Sequence, residues 1–338
     1  MKINILYCSD NNYAPYLGIS ITSVLKSNQD VEKITFYVVN DNISEDNLNR
    51  LKQCFEGYGQ SRELILIDGR AWVDRLVEMD IFPYRGGQTT NLRLFFMEYI
   101  EQDVDRILYL DCDTLVLESL QPLFETDMDD AAGAVVLDSL SGAEYKNIVG
   151  FKAEDYYFNA GVVLFDVANW KKHECERRLS EYMRDPKYHL PNNDQDFLNI
   201  LLKDCKKILS PKYNFQVTHR IYSNKAYYKI YSKVGYYKSE EIDDAGSNPV
   251  ILHAYRFLGQ FPWHKNALHP WKSLWWEYVK HSNWSDLVPR ENKGITFAFE
   301  RILYRVLPQR LFLLLFKKLQ THLFIKKLKT MKKKKGVS

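Results

Sequence analysis

Cysteine is scarce here. The five residues Cys8, Cys54, Cys112, Cys175 and Cys205 are an odd number with no Cys-x-x-Cys among them, which argues against a disulfide framework and suits a reducing compartment. No Gly-x-Gly-x-x-Gly follows the first apolar run, and no Gly-x-x-x-x-Gly-Lys-Ser/Thr occurs anywhere. Neither a dinucleotide fold nor a P-loop is indicated, and a nucleotidyltransferase would normally show a glycine-rich loop there. No apolar stretch approaches the roughly 20 residues of a membrane span. The opening Met-Lys-Ile-Asn-Ile-Leu-Tyr-Cys-Ser-Asp turns polar too soon for a secretory signal, so a cytoplasmic protein is expected. Acidic residues are nearly missing from one region. From position 289 onward 14 Lys/Arg face two Asp/Glu, whereas the preceding 288 residues carry 32 Lys/Arg against 41 Asp/Glu. An acidic body with a basic tail implies two different partners.

What is present is a globular chain, with 46% hydrophobic and 14% aromatic residues, ample for a packed core. Short apolar runs at 3–8, 34–39 and 64–67 alternate with helical patterns, one of them capped by Ser44. That alternation predicts an α/β fold with a mainly parallel sheet and helices on both faces. The loop at the carboxyl end of the first strand is where such sheets bind ligands, which makes Asp10, Asn12 and Tyr13 nucleotide candidates. A turn that caps the following helix accounts equally for Asp10 and Asn11.

The run 107–110 ends at two carboxylates, Asp111 and Asp113. Carboxylates at a buried strand end need a divalent cation, a basic partner or open solvent. Hard oxygen donors favour Mn²⁺ or Mg²⁺, which can hold a diphosphate, although an Asp-x-Asp alone also fits an unliganded loop. His253 ends the run 250–253. A lone histidine at a strand end is commonly structural, yet with Asp111 and Asp113 it completes a mixed oxygen and nitrogen site suited to Mn²⁺. Arg93 falls in the first turn of an expected helix over 91–100, where a cation opposes the helix dipole, so an anionic partner is expected; a sheet carboxylate would suffice. A strand at 131–137 ends at Asp138, and the polar segment reaching to 155 is expected to shape a substrate cleft. Ala160 and Gly161 after Asn159 allow either close approach of a ligand or a tight bend entering the run 162–165. A helix is expected around 170–184, and the turn 192–196 heads another reaching 202. The tyrosine-rich stretch 222–237 suits sugar stacking and ordinary edge packing alike.

In order, the motifs Ser9-Asp10-Asn11-Asn12-Tyr13, Arg93-Leu94, Tyr109-Leu110-Asp111-Cys112-Asp113, Tyr157-Phe158-Asn159-Ala160-Gly161, Asn193-Asp194-Gln195-Asp196 and His253 resemble glycosyltransferase family 8. These are retaining enzymes of the GT-A fold, a mixed, mostly parallel sheet flanked by helices, and they include bacterial lipooligosaccharide galactosyl- and glucosyltransferases. The resemblance runs from residue 3 to about 284. It implies that Asp10, Asn12 and Tyr13 hold uridine and ribose, and that Asp111, Asp113 and His253 ligate Mn²⁺, with Mg²⁺ as a substitute. It further implies that Arg93, Asn159 and Asp194 grip the donor hexose, that Gln195 sits beneath its anomeric carbon, and that Asp138 lies on the acceptor side. Family members usually follow the histidine with a Gly and then Lys-Pro-Trp, the lysine touching phosphate. Here Phe261 takes the lysine's place, and Arg256 or Lys265 is expected to supply the charge. The expected chemistry is same-face attack, with the leaving phosphate taking the acceptor's proton and with Gln195 and Asp196 stabilising the sugar cation. A protein that keeps the UDP-sugar site but has lost turnover is the non-enzymatic alternative that Phe261 suggests.

Residues 1–288 are thus expected to form the catalytic domain, and 289–338 a basic amphipathic tail. In the tail Phe, Leu and Ile interleave with Arg and Lys, broken at Pro308 and ending in four lysines. Such helices lie on anionic membranes. Nucleic-acid binding and docking on a partner protein are the competing readings; the aliphatic content favours the membrane. The expected partners are a UDP-sugar, galactose or glucose, a membrane-anchored saccharide acceptor and the inner membrane face, and no nucleic acid.

Overall fold

A computed structural model describes residues 1–83, 87–221, 224–291 and 294–335. The first three strands, β1 (Lys2–Asp10), β2 (Lys33–Asp41) and β3 (Arg62–Asp68), are parallel. The helices Ala14–Ser27 and Glu45–Gln53 lie in their connections, the second capped by the Ser44 hydroxyl accepting the Asn47 N–H. Parallel neighbours need such crossovers. The remaining strands are β4 (Arg106–Leu110), β5 (Thr114–Val116), β6 (Gly133–Leu137), β7 (Phe158–Asp166), β8 (Lys206–Ile208), β9 (Phe215–Gln216) and β10 (Ile251–His253). Seven of these form the main sheet in the order β3-β2-β1-β4-β7-β6-β8, and the other three form a small sheet in the order β5-β10-β9. β7 runs antiparallel to both β4 and β6, and the other pairings of the main sheet are parallel. The mixed, mostly parallel sheet is as expected.

Both faces of this sheet are covered. Ile3, Ile5, Tyr7, Leu108 and Leu110 enter one core cluster, while Leu6, Cys8, Ile107 and Tyr109 enter the other. Side chains alternate across a strand, so burial on both sides makes every position apolar, which is why these strands read as continuous runs. The small sheet decides where the site forms. β5 starts directly after Asp113, and β10 pairs with it antiparallel so that His253 faces Thr114.

Two expected helices differ. Residues 91–100 are not α-helical: the segment Thr89–Glu98 is wound as 3₁₀ turns with a kink at Phe95. All six residues from Asn91 to Phe96 are buried there, which one stripe of an α-helix cannot accommodate. The helix expected at 170–184 is two, Val167–Lys172 and Cys175–Arg184, separated at Glu174 with φ of 50°. Within the irregular segment after Asp138 the chain forms a short helix, Ala143–Ile148. Of the tyrosine-rich stretch, Tyr222 lies outside the described residues.

The tail forms the helices Ile295–Val306 and Gln309–Lys335, and both lie on the body. Phe312 and Leu313 are buried in the main core, and Phe324 and Leu328 pack on a cluster containing Tyr145 and Tyr157. Lys317 pairs with Glu144 at 2.9 Å and donates to the Ile230 carbonyl at 2.6 Å. Gly259 is required beneath the first tail helix, since a Cβ there would lie 2.0 Å from the Phe297 ring. The opposite face exposes Phe299, Ile302, Leu314, Leu315 and Leu323. Among the described residues no helix is long and apolar enough to cross a membrane.

Candidate active site

Asp111, Asp113 and His253 meet where β4 ends and the small sheet begins. Their ligand atoms lie within 4.8 Å of one another. His253 Nε2 is 3.2 Å from Asp113 and 3.6 Å from Asp111. Ligands around one octahedral ion of this size lie about 3.0 Å apart when adjacent and about 4.2 Å when opposite, so the spacing fits a cation. The tautomer fits as well. His253 Nδ1 lies 3.1 Å from the Asn214 side-chain oxygen, which accepts a proton there and, in the neutral ring, leaves the Nε2 lone pair on the side of the carboxylates. Burial opposes a charged His253 ring, but Asp113 and then Asp111 outweigh it and raise its pKa. The same carboxylates would attract a divalent ion.

Gly161 makes room for these groups. A Cβ on it would sit 2.2 Å from His253 Cε1 and 2.7 Å from Asp111 Oδ2. At Ala160 and Gly161 the register of β7 against β6 shifts, which bends the strand, and the close neighbours of Gly161 are the site's own side chains. Asn214 continues inward, donating at 3.0 Å to the Asn159 side-chain oxygen, while Asn159 donates at 3.2 Å to Asp138. Asp138 is committed: its other oxygen accepts the N–H groups of Leu140 and Ser141 at 3.0 and 2.7 Å. It shapes the loop that follows it and presents no unoccupied carboxylate oxygen.

Arg93 has its anionic partners. It is 3% exposed, binding Asp111 at 2.9 Å, Asp194 at 2.9 Å and the Ala160 carbonyl at 2.5 Å, above the Tyr109 ring. Burial works against its charge, and Asp111 and Asp194 together more than restore it. Asp111 is thereby divided: Oδ1 accepts Arg93 and the Tyr109 hydroxyl, and Oδ2 faces His253. Asp194, also buried, is pushed up to about 6 by desolvation, with Arg93 opposing. Both therefore act within the protein's own charge network and present little free surface to a hexose.

At the head of the helix Asp194–Leu201, Asn193 adopts φ of 45°, an uncommon conformation for a non-glycine residue and one that tends to cluster at functional turns. Gln195 is half-buried, while Asp196 is fully buried. The Asp196 carboxylate accepts the hydroxyls of Tyr157 at 2.5 Å and Tyr145 at 3.0 Å, and the Asn192 N–H at 2.7 Å. The direct role on the sugar cation expected of Asp196 thus falls on a carboxylate with no exposed surface and three hydrogen-bond donors around it. Of the pair, Gln195 alone keeps exposed surface.

Asp10 builds its loop, accepting the Tyr13 N–H at 2.9 Å, and Asn11 accepts from Ser44 and Asn47, both at 2.9 Å. Asn12 is exposed and Tyr13 half-buried. Phe261 stacks on Trp263 with centroids 4.4 Å apart and meets Tyr13 edge-on at 6.4 Å. Arg256 lies over the Phe297 ring of the first tail helix at 5.0 Å, and Lys265 is 3.7 Å from Glu291. Neither contacts the 10–13 loop by these interactions. The guanidinium of Arg290 does, donating to the Asn12 carbonyl at 3.2 Å. Sequence reasoning gave no role to Arg290, Asn214, Tyr145 or Tyr157, although Tyr157 stands at the head of one of the family motifs. Asn214 is 39 residues from His253 in the chain, and only the pairing of β9 with β10, Leu252 opposite Phe215, reveals it.

Residues 4–267 match the model of glycosyl transferase family 8. The chain is 25% identical over 290 residues to general stress protein A of Bacillus subtilis strain 168, covering 84% of this chain and 96% of that one. It is 27% identical over 303 residues to a lipopolysaccharide 1,2-glucosyltransferase of Escherichia coli K12, covering 87% and 82%. Among solved structures it is similar to the galactosyltransferase LgtC in complex with donor and acceptor sugar analogues, with a TM-score of 0.65, 26% identity, and coverage of 83% of this chain and 96% of that one.

Proposed function

The chain belongs to glycosyltransferase family 8, and from that premise we propose that it moves galactose or glucose, with retention, from a UDP-sugar to a saccharide acceptor on a membrane-anchored cell-surface glycan. The observation that carries the reading is the convergence of two carboxylates and one imidazole of fixed tautomer on a single point. Mn²⁺ held by Asp111, Asp113 and His253, or Mg²⁺ in its place, would stabilise the charge that develops on the departing diphosphate. Arg93 holds one oxygen of Asp111 in place. Asp10, Asn12 and Tyr13 form the nucleotide loop, and Arg290 is a further cation we assign to it beside Arg256 and Lys265. Gln195 faces the anomeric carbon. Its neutral amide is a poor nucleophile, which favours same-face attack: the acceptor oxygen bonds to the anomeric carbon as the bond to UDP breaks, and the acceptor's proton passes to the leaving phosphate.

Two relatives support the donor and acceptor classes by their names, a lipopolysaccharide glucosyltransferase and a galactosyltransferase. For the tail we infer peripheral binding to the inner face of the membrane. The exposed Phe299, Ile302, Leu314 and Leu315 beside the lysines support this, each basic residue near an anionic surface adding about 1 kcal/mol. The five free cysteines fit the cytoplasmic side. Screening UDP-sugars for Mn²⁺-dependent UDP release tests the reading. Release from UDP-galactose or UDP-glucose is expected, while tight UDP binding with no release from any donor would favour the non-catalytic alternative that Phe261 raises.

A further inference from the structure

The Gln195 side chain is bracketed at both ends. Its Oε1 accepts the Ala160 N–H at 3.1 Å, and its Nε2 donates to the Tyr157 hydroxyl at 3.2 Å. A backbone N–H only donates, so the oxygen end must lie toward Ala160. The Tyr157 hydroxyl has one hydrogen and gives it to Asp196 at 2.5 Å, so toward Gln195 it can only accept. The amide has one permitted orientation. Asp196 enforces it from behind, fixed in turn by Tyr145 and by the Asn192 N–H. The C-terminal helix closes the outer side, its Phe324 ring 4.7 Å from that of Tyr145 and its Lys327 ammonium donating to the Pro191 carbonyl.

We propose that Tyr157, backed by Asp196 and Tyr145, is a positioning residue that locks the Gln195 amide with its oxygen at the Ala160–Gly161 bend, and that the C-terminal helix braces this relay through Phe324. The inference rests on the reading of Gln195 as the residue beneath the donor's anomeric carbon. An amide oxygen at that bend presents partial negative charge to a carbon gaining positive charge, whereas a flipped amide would present N–H groups. Asp196, fully buried, thus serves the reaction without touching the sugar. The basic tail, apart from any membrane, is part of the catalytic support.

The test uses the full chain with Tyr157→Phe, which keeps the ring and removes only the hydroxyl. Loss of one such hydrogen bond should lower kcat about tenfold with donor KM nearly unchanged. In a Gln195→Ala background the same change should cost nothing further, since residues acting through one another are not additive; multiplicative losses, or an unchanged kcat in the single variant, would overturn the relay. Phe324→Ala should lower kcat less, and Phe324→Leu should restore most of it. A second readout needs no turnover: with ¹⁵N-glutamine labelling of donor-free protein, the Gln195 side-chain amide protons should exchange slowly with solvent in the wild type, and shift and exchange fast in Tyr157→Phe. Unaltered resonances would overturn the proposal even if no UDP-sugar proved to be a substrate, an outcome that would by itself sink only the functional reading.

Discussion

The two halves of the site are built on opposite principles. In the metal half, Asp111 and Asp113 direct carboxylate oxygens at one point, with a single imidazole between them. In the amide half, Asp196, Tyr145, Tyr157 and Gln195 are hydrogen-bonded to one another and to the backbone N–H groups of Asn192 and Ala160. Two carboxylates brought together repel each other, and Arg93 and His253 are what the protein itself sets against that repulsion, whereas a hydrogen-bond network stabilises the fold as it stands. The metal half should therefore be separable from stability and the amide half should not, which is the usual tension between function and stability concentrated in one cleft.

The largest effect that could break this contrast is in the metal half. Asp113→Ala should reduce UDP release on the order of 10³-fold, with a thermal midpoint equal to or above that of the wild type, measured by calorimetry without metal. Next comes Asp196→Ala, which leaves two buried tyrosine hydroxyls without their acceptor and should cost about 3 kcal/mol in urea unfolding; a cost near zero would mean the network is not closed.

The pH dependence sharpens the same point. Burial pushes Asp196 up to about 6 from 3.8 despite its hydroxyl donors. A carboxyl raised on folding contributes stability that is complete below its unfolded pKa and lost as pH rises through its folded one. The unfolding free energy of the wild type relative to Asp196→Asn should thus fall by about 2 kcal/mol between pH 4 and pH 7. A difference that rises with pH would show an Asp196 stabilised as the anion. The smallest effect belongs to the bridge between halves: Asn214→Ala, which frees the His253 tautomer, should weaken Mn²⁺ binding about tenfold by calorimetric titration.

Much of the fold was legible because the central strands are buried on both faces, so that 107–110 is an uninterrupted apolar run and 3–8 is broken only at Asn4. Asp111 and Asp113 stood out as charge at a buried strand end. His253 did so less: a histidine ending a strand is commonly structural, and it reads as a ligand only beside the two aspartates and the ordered motifs of the family. Asn214 and the two tyrosines were hidden, since what joins them to the site is sheet pairing and packing between distant segments. The tail shows a different limit. Phe312 and Leu313 turn inward while Leu314 and Leu315 turn outward, so four consecutive apolar residues cover most of the helix circumference. Periodicity there cannot say which face docks, or that any face does.

The most direct measurement is UDP release from UDP-galactose and UDP-glucose by protein stripped with EDTA and then titrated with Mn²⁺, in parallel with His253→Ala. Release that is absent without metal, saturates with Mn²⁺ in the wild type and stays absent in the variant is the predicted result. Undiminished release in EDTA, or a variant that saturates like the wild type, would contradict the claim that Asp111, Asp113 and His253 anchor the ion that lets the nucleotide depart.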